Sequence, residues 1–578
     1  FPEEYKDEAE LLEEEWEEEE EEELEEVKNI EEVYRSIIPQ RKAFIEWVND
    51  VFYKELLDNH KGLKDELAEI NIYQYFVREY LSIETPFRGL LVYHGLGTGK
   101  TATSVITAEG LSKNMKIHTL LPASLETEYI KEVKSWGDVF FNIKKNNWVF
   151  YPIKEIKDNP RLREEIKNEY GITDKIIQSI YITTKNKLKK DLAAEGQLKQ
   201  KLPELVKRLD ESKGFFMPSK SINEEKRDVY VIDKIVLKQG ETYDEKPIVM
   251  NKETKLLIEK QIDIMIKKKY NFIHYNGFPD VHKKNFDEYI NVDLVDEDKK
   301  GLTNNQQMVK ELYNKYQYNL QTHNIRTPFK DEVVIIDEVH NFVREILNDS
   351  APAKVFYNWI IEAEDIKLIF LSGTPIINKP AEIAILYNML RGKLHVFNFT
   401  VVSERDDEEV QQELRDHFYK EQSAIEQLYV KKNKGKLVIS FTKNKTNFES
   451  IMEDKIVKTI KFGDNTFDEL FDEIFQGLHK FFDKDLIVPR QSDVKELKTQ
   501  DIKDGKSMKF DDDIDFNRKQ KLFDIYDNDT SYDLSDNSNF VEYFLDDSFN
   551  IPPKKQVLLR RMLLGLTSYY PIDRSSIV

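Results

Sequence analysis

Three stretches of this sequence hold residue types at spacings that can do chemistry on phosphate. In HGLGTGKT (His94–Thr101), Gly95, Gly97 and Gly99 alternate with Leu96 and Thr98 ahead of Lys100 and Thr101. Glycines let a backbone approach phosphate oxygens with no Cβ in the way, and a following helix presents free N–H groups to the anion. Lys100 then pairs with the β- and γ-phosphates and Thr101 offers its hydroxyl to Mg²⁺, so ATP with Mg²⁺ is the expected ligand pair. The common loop pattern G-x-x-x-x-G-K-[ST] asks for glycine where this chain has His94.

The second stretch, VVIIDEVH (Val333–His340), ends an apolar run in two adjacent acids. Asp337 at such a position holds Mg²⁺, commonly through water, and Glu338 polarises the attacking water as a general base. His340 is placed to sense the nucleotide state and pass it to the third stretch, LSGTP (Leu371–Pro375). There Ser372, Gly373 and Thr374 form a small polar turn suited to a switch. Ser372 and Thr374 would hydrogen-bond the acids or His340 until phosphate leaves. An acid pair or a polar turn is common by itself; the order of the three along one chain gives them weight.

Strands must carry these residues. RGLLVYH (Arg88–His94), KIHTLLPAS (Lys116–Ser124), EVVIIDEVHNFV (Glu332–Val343) and IKLIFLSGTP (Ile366–Pro375) each start as an apolar strand and end in a polar signal. Helical stretches separate them, which predicts an α/β fold: a parallel sheet with helices on both faces and ligands beyond the carboxyl ends of the strands. The strand ending near Pro122 lies more than two hundred residues before the one ending at Asp337, so a large insertion is expected at 151–270. The expected domains are an acidic tail (1–32), the first part of the P-loop lobe (33–150), the insertion (151–270) and the second part of the lobe (271–395). A mixed α+β segment (396–490), an Asp-rich flexible linker (491–548) and the start of a further segment (549–578) follow.

Charge adds one qualification. The chain of 578 residues has a net charge of -22, but residues 1–32 alone hold 19 acids and 2 bases. The body is therefore near neutral and can still carry a basic groove for nucleic acid. The run LLEEEWEEEEEEELEEV (Leu11–Val27) is low in complexity and reads as a solvated tail or exposed helix, with mimicry of DNA as the sharper alternative. There is no cysteine, which excludes disulfides, thiolate zinc sites and cysteine nucleophiles. No apolar run approaches the ~20 residues that span a bilayer, so no membrane partner is expected, and no structural metal.

The P-loop, D-E-V-H and S-G-T-P set resembles the superfamily 2 helicase-like ATPases, with SGTPIIN similar to their Swi/Snf-type branch. More narrowly, TPFRGLLVYHGLGTGKT, FIHYNGF, VVIIDEVHNFV, LSGTPIINKPAEIAILYNMLRG and RRMLLGLTSYYP resemble the helicase-like ATPases of large cytoplasmic DNA viruses. These include poxvirus nucleoside triphosphate phosphohydrolases, early transcription factor small subunits and their giant-virus relatives. The likeness covers 70–140, 270–395 and a patch at 560–571. It implies a RecA-like lobe whose loop reads A-x-x-G-x-G-K-[ST], in which His94 stands at a variable first position.

The resemblance also assigns residues. Gln74, 21 residues before Gly95, would read adenine; Pro122 and Ser124 would grip a nucleic-acid backbone, with Tyr275 and Asn276 as a second contact. It implies a DNA-dependent ATPase that translocates on duplex DNA in viral transcription, beside a viral RNA polymerase or other transcription factor subunits. The implied location is the viral factory in host cytoplasm and the virion. A helicase-like scaffold subunit and a strand-separating replicative helicase are the alternative readings. The family's second RecA-like lobe supplies an arginine from Q-x-x-G-R-x-x-R, and no such segment follows Gly392. That lobe is expected outside this chain, and hydrolysis by this chain to be weak, such an arginine being worth about 10³–10⁵ in rate.

Overall fold

The computed structural model describes residues 35–38, 43–62, 70–95, 97–112, 115–152, 159–161, 164, 214–219, 230–233, 246–250, 252–275, 304–433, 435–461, 467–482, 487–489, 518–527 and 530–570. The acidic tail, Leu96, Asn276, most of the 151–270 insertion and residues 490–517 lie outside them. Two compact units emerge: Phe1–Lys100 with Phe278–Val578, and Thr101–Gly277.

In the first unit four parallel strands lie side by side in the order Thr567–Tyr570, Gly89–His94, Ile366–Leu371, Glu332–Ile336. The last two are buried at every position, as strands covered on both faces must be. Register aligns their ends: Leu371 pairs with Val92 and Phe370 with Ile336. The three polar signals therefore leave the sheet at one level, at its carboxyl edge. At the amino edge two cations, a half-buried Arg88 and a buried Lys367, satisfy carbonyls. Arg88 donates to Ala363 O and Leu390 O, each at 3.1 Å, and to Met389 O and Ile360 O. These are C-terminal carbonyls of the helices Ala351–Glu362 and Glu382–Arg391, or lie just past them. Lys367 Nζ donates to Ser82 O, Thr85 O and Phe87 O at 2.7–3.0 Å.

Beyond Gly392 the same unit builds an antiparallel sheet in the order Ile425–Asn433, Lys436–Lys443, Lys393–Val402, Ile487–Pro489. The helices Asp407–Phe418 and Phe467–Phe481 contribute to its core, where Phe397, Phe399, Phe418, Phe441 and Phe471 meet. This is the mixed α+β segment. The Asp-rich stretch departs from the expected flexible linker over its described part. Arg518–Lys521 pairs with Lys393–Val402, Asp524–Asp527 pairs with Thr530–Asp533, and Asn537–Phe544 is a helix. Phe523, Leu534, Phe540 and Phe544 are buried. Its aspartates serve turns and caps: Asp536 accepts from Ser538 N and Asn539 N, and Asp546 from Ser548 N and Asn550 N. Polarity there reflects turn chemistry.

In the second unit Lys116–Leu121 pairs in parallel with Phe272–His274, and the unit also contains the helices Glu126–Trp136 and Lys252–Tyr270. A separate four-stranded sheet orders Gly214–Ser219, Asn147–Pro152, Tyr230–Asp233, Lys246–Val249. No described helix is long and apolar enough to cross a membrane.

Candidate nucleotide site

The strand Gly89–His94 delivers the loop. Gly97 and Gly99 have φ of 78° and 76°, the left-handed region that side chains avoid, so this path requires glycine at both. Lys100, first residue of the helix Lys100–Leu111, folds its Nζ back onto His94 O and Gly95 O, 3.1 Å from each. Thr98 Oγ1 donates to Gly95 O at 2.7 Å. Thr101 follows at the first residue of the second unit.

The helix Ile72–Tyr80 braces this loop from outside. Tyr73 donates to Thr98 O at 2.8 Å and Gln74 Nε2 to Gly99 O at 3.4 Å. Gln74 Oε1 accepts Asn71 N–H at 3.0 Å, closing the helix's capping box. Gln74 therefore sits against the loop with both ends of its amide engaged. His94 is fully buried, its Nε2 2.9 Å from Ser568 Oγ. Burial first, then the charge of Lys100, lowers its titration to about 4 and keeps it neutral. The strand Thr567–Tyr570 reaches the loop as well, Gly95 N–H donating to Tyr570 O at 3.1 Å.

Asp337 follows the strand Glu332–Ile336 and is 8% exposed. Its carboxyl is pushed up to about 6, by burial first and by the Glu338 charge second. The Glu338 amide, donating to Asp337 Oδ1 at 2.9 Å, and the Lys100 charge pull the other way. Glu338 itself has φ 48° and ψ 53°, left-handed and unusual for a residue with a side chain. It begins the helix Val339–Leu347, where His340 Nδ1 lies 3.3 Å from Glu338 Oε2 and 2.9 Å from Ser372 Oγ. Ser372 Oγ also accepts Thr374 N–H at 3.0 Å, across Gly373. The structure thus brings Asp337, Glu338, His340, Ser372 and Thr374 into one network. Burial lowers the His340 titration despite Glu338.

Mg²⁺ fits this donor set. A buried carboxylate whose charge is disfavoured beside a second carboxylate is one that a divalent cation relieves. Among the described residues no three His, Asp or Glu side chains group to hold a metal alone, so the phosphates would supply the remaining oxygens.

Of the nucleic-acid candidates, Ser124 is exposed in the short turn Ala123–Leu125 after Pro122. Tyr275 departs from the exposed contact expected of it: its side chain is buried, 1% exposed. Two residues escaped sequence reasoning. Glu126, just beyond the turn, is held down to about 2, first by the hydrogen bond from His274 at 2.6 Å, with Lys267 adding to it. Glu382 accepts the amides of Ile377, Asn378 and Lys379 at 2.7–3.2 Å and fixes the chain after S-G-T-P. An acid at the start of the following helix is the signal that could have found it.

A glycine loop with its lysine, an Asp-Glu pair and a histidine bridging to a serine turn define the class: a helicase-like ATPase site of superfamily 2. Comparison with known proteins points the same way over short stretches, where the chain is similar to viral proteins. It is 42% identical over 67 residues to a protein of Acanthamoeba polyphaga mimivirus named as an ATP-dependent RNA helicase, R563, covering 12% of each chain. It is 40% identical over 65 residues to the termination factor NPH-I homologue of African swine fever virus, 11% of this chain and 9% of that one. A second mimivirus protein named as an ATP-dependent RNA helicase, R350, is 35% identical over 89 residues, 13% of this chain and 11% of its own. The matches therefore span about a tenth of the relatives' length, and no family model matches the chain.

Proposed function

We propose that this chain binds ATP with Mg²⁺ at Gly95–Thr101 and hydrolyses it to drive movement on duplex DNA in viral transcription. One observation carries the reading: the in-register strands bring Lys100, Asp337, Glu338 and Ser372 to one edge of the sheet, with His340 bridging the last two. Lys100 would exchange its bonds to His94 O and Gly95 O for the phosphates. Thr101 and Asp337 would hold Mg²⁺, which would supply charge neutralisation on the phosphates when bound. Glu338 accepts a proton from water as the water oxygen attacks the γ-phosphorus; the bond to the bridging oxygen breaks and ADP leaves with its electron pair. Loss of the phosphate charge then changes the load on Glu338, and the His340–Ser372 contact carries that change to the S-G-T-P turn.

The relatives are named for RNA unwinding in two cases and for termination in another, and both are consistent with a nucleic-acid motor. We place the work in transcription, beside viral polymerase subunits, in infected cytoplasm and the virion. Phosphate release, measured alone and with duplex DNA or single-stranded RNA, tests the reading. Duplex DNA should stimulate most. Lys100→Ala and Glu338→Gln should each lower the stimulated rate about 10²–10⁴-fold; unchanged activity in either sinks the assignment, and stimulation by RNA alone replaces the DNA track with RNA.

A further inference from the structure

Gln74, the glutamine that the resemblance assigns to the base, is held against the loop by protein contacts. Gln74 is 2% exposed, its acceptor taken by Asn71 N–H and its donor by Gly99 O. The groups beside Gln74 at this loop are aromatic. Tyr73 is fixed to the loop by its hydroxyl on Thr98 O, so its ring stands at the flank of the phosphate cradle. Tyr570 stacks on that ring, centroids 4.3 Å apart and planes 22° from parallel. The Tyr570 carbonyl holds Gly95 N–H, fixing the second ring to the other end of the same loop. His94 stands edge-on to both, at 5.4 and 6.1 Å, and closes the inner side.

The pair is not simply core. Tyr570 is 42% exposed, so the stack keeps aromatic surface open to solvent while its inner attachments are satisfied. A ribose and one phosphate separate a base from the β- and γ-phosphates, so a base platform must flank the loop rather than line it. These rings do. A purine laid on such a surface gains stacking that uses its face and not its hydrogen-bonding edge.

We propose that the Tyr73–Tyr570 stack is the nucleobase platform of this site, taking the purine ring of a nucleoside triphosphate whose phosphates lie on Gly95–Thr101. A strand from far along the sequence thereby completes the nucleotide site. The inference rests on the P-loop reading above and names the group that holds the other end of the same ligand.

Binding of ATP and of inorganic tripolyphosphate to the full chain, both with Mg²⁺, separates base contacts from phosphate contacts. Tyr570→Ala is expected to weaken ATP about tenfold and to leave tripolyphosphate within about twofold. Tyr570→Phe keeps the ring and should bind both like the parent, and Lys100→Ala should weaken both. Unchanged ATP binding in Tyr570→Ala, with Lys100→Ala weakened, overturns the platform alone. Equal loss of ATP and tripolyphosphate in Tyr570→Ala means the ring only props the loop, and overturns it too. Loss of ATP in Tyr570→Phe assigns the effect to the hydroxyl and excludes stacking. Parent-like tripolyphosphate binding by Lys100→Ala overturns the P-loop reading and the platform with it.

Discussion

Asp337→Asn is expected to stabilise the nucleotide-free protein at about pH 8 while abolishing its phosphate release. The Asp337 carboxyl titrates at about 6 against an ordinary 3.8, burial being the larger cause and Glu338 the next. At ~1.4 kcal/mol per pH unit, this makes the carboxylate about 3 kcal/mol less favourable in the folded than in the unfolded chain. Because the folded value is the higher one, the folded protein holds the proton more tightly. The penalty is absent below the unfolded value of 3.8, grows as pH rises from there, and is complete above about 6. Asparagine keeps the shape and an oxygen for the Glu338 amide, now at 2.9 Å, and carries no charge. The melting temperature should therefore rise by about 2–4 °C at about pH 8, and the gain should shrink towards zero at about pH 4. Calorimetric melting of parent and variant at the two pH values decides it. A loss of stability at the higher pH, or a gain indifferent to pH, refutes the reasoning.

Arg88→Met removes donors from four backbone carbonyls and should destabilise by about 3 kcal/mol, part of the loss being offset because burial already lowers the arginine's titration to about 9; denaturant melts measure it. Gly99→Ala forces a side chain to φ 76°, and should lose ATP by about tenfold or more in equilibrium binding while the fold's circular dichroism is kept. His340→Ala should leave ATP binding within about threefold yet remove most nucleic-acid stimulation of phosphate release, since it cuts the Glu338–Ser372 bridge. Full stimulation in that variant would show that coupling runs elsewhere.

The chemistry was the legible part of this sequence, for a physical reason. Strands buried on both faces are continuous apolar runs, and where each ends its first polar residues meet the ligand edge, so Lys100, Asp337 and Ser372 announced themselves. Long-range pairing is not written locally. Nothing in LTSYY says that it lies beside Gly89–His94, because an edge strand of mixed polarity reads like a loop. The Asp-rich segment misled because aspartate composition suggests disorder, whereas the spacing of its apolar residues, Phe523, Leu534, Phe540 and Phe544, is what the fold uses. Tyr275 misled in the opposite sense: a motif position implied an exposed contact, but motif position does not report burial, and the side chain is buried.

The strand Thr567–Tyr570 has a consequence for how the protein is made. Leu566 O and Tyr570 O hold the amides of Leu91 and Gly95, Tyr80 holds Gly565 O, and Tyr387 meets Thr567. Chains grow from the amino end at about 5–20 residues per second, so residue 570 leaves the ribosome long after the glycine loop does. Through most of synthesis the loop's outer strand edge stays unpaired and open to wrong partners, such as another nascent chain. A cell reading this message is left for tens of seconds, about the time the intervening residues take, with a phosphate cradle that lacks its flank. Nucleotide present during translation would then act as a folding ligand, binding only once this strand has docked.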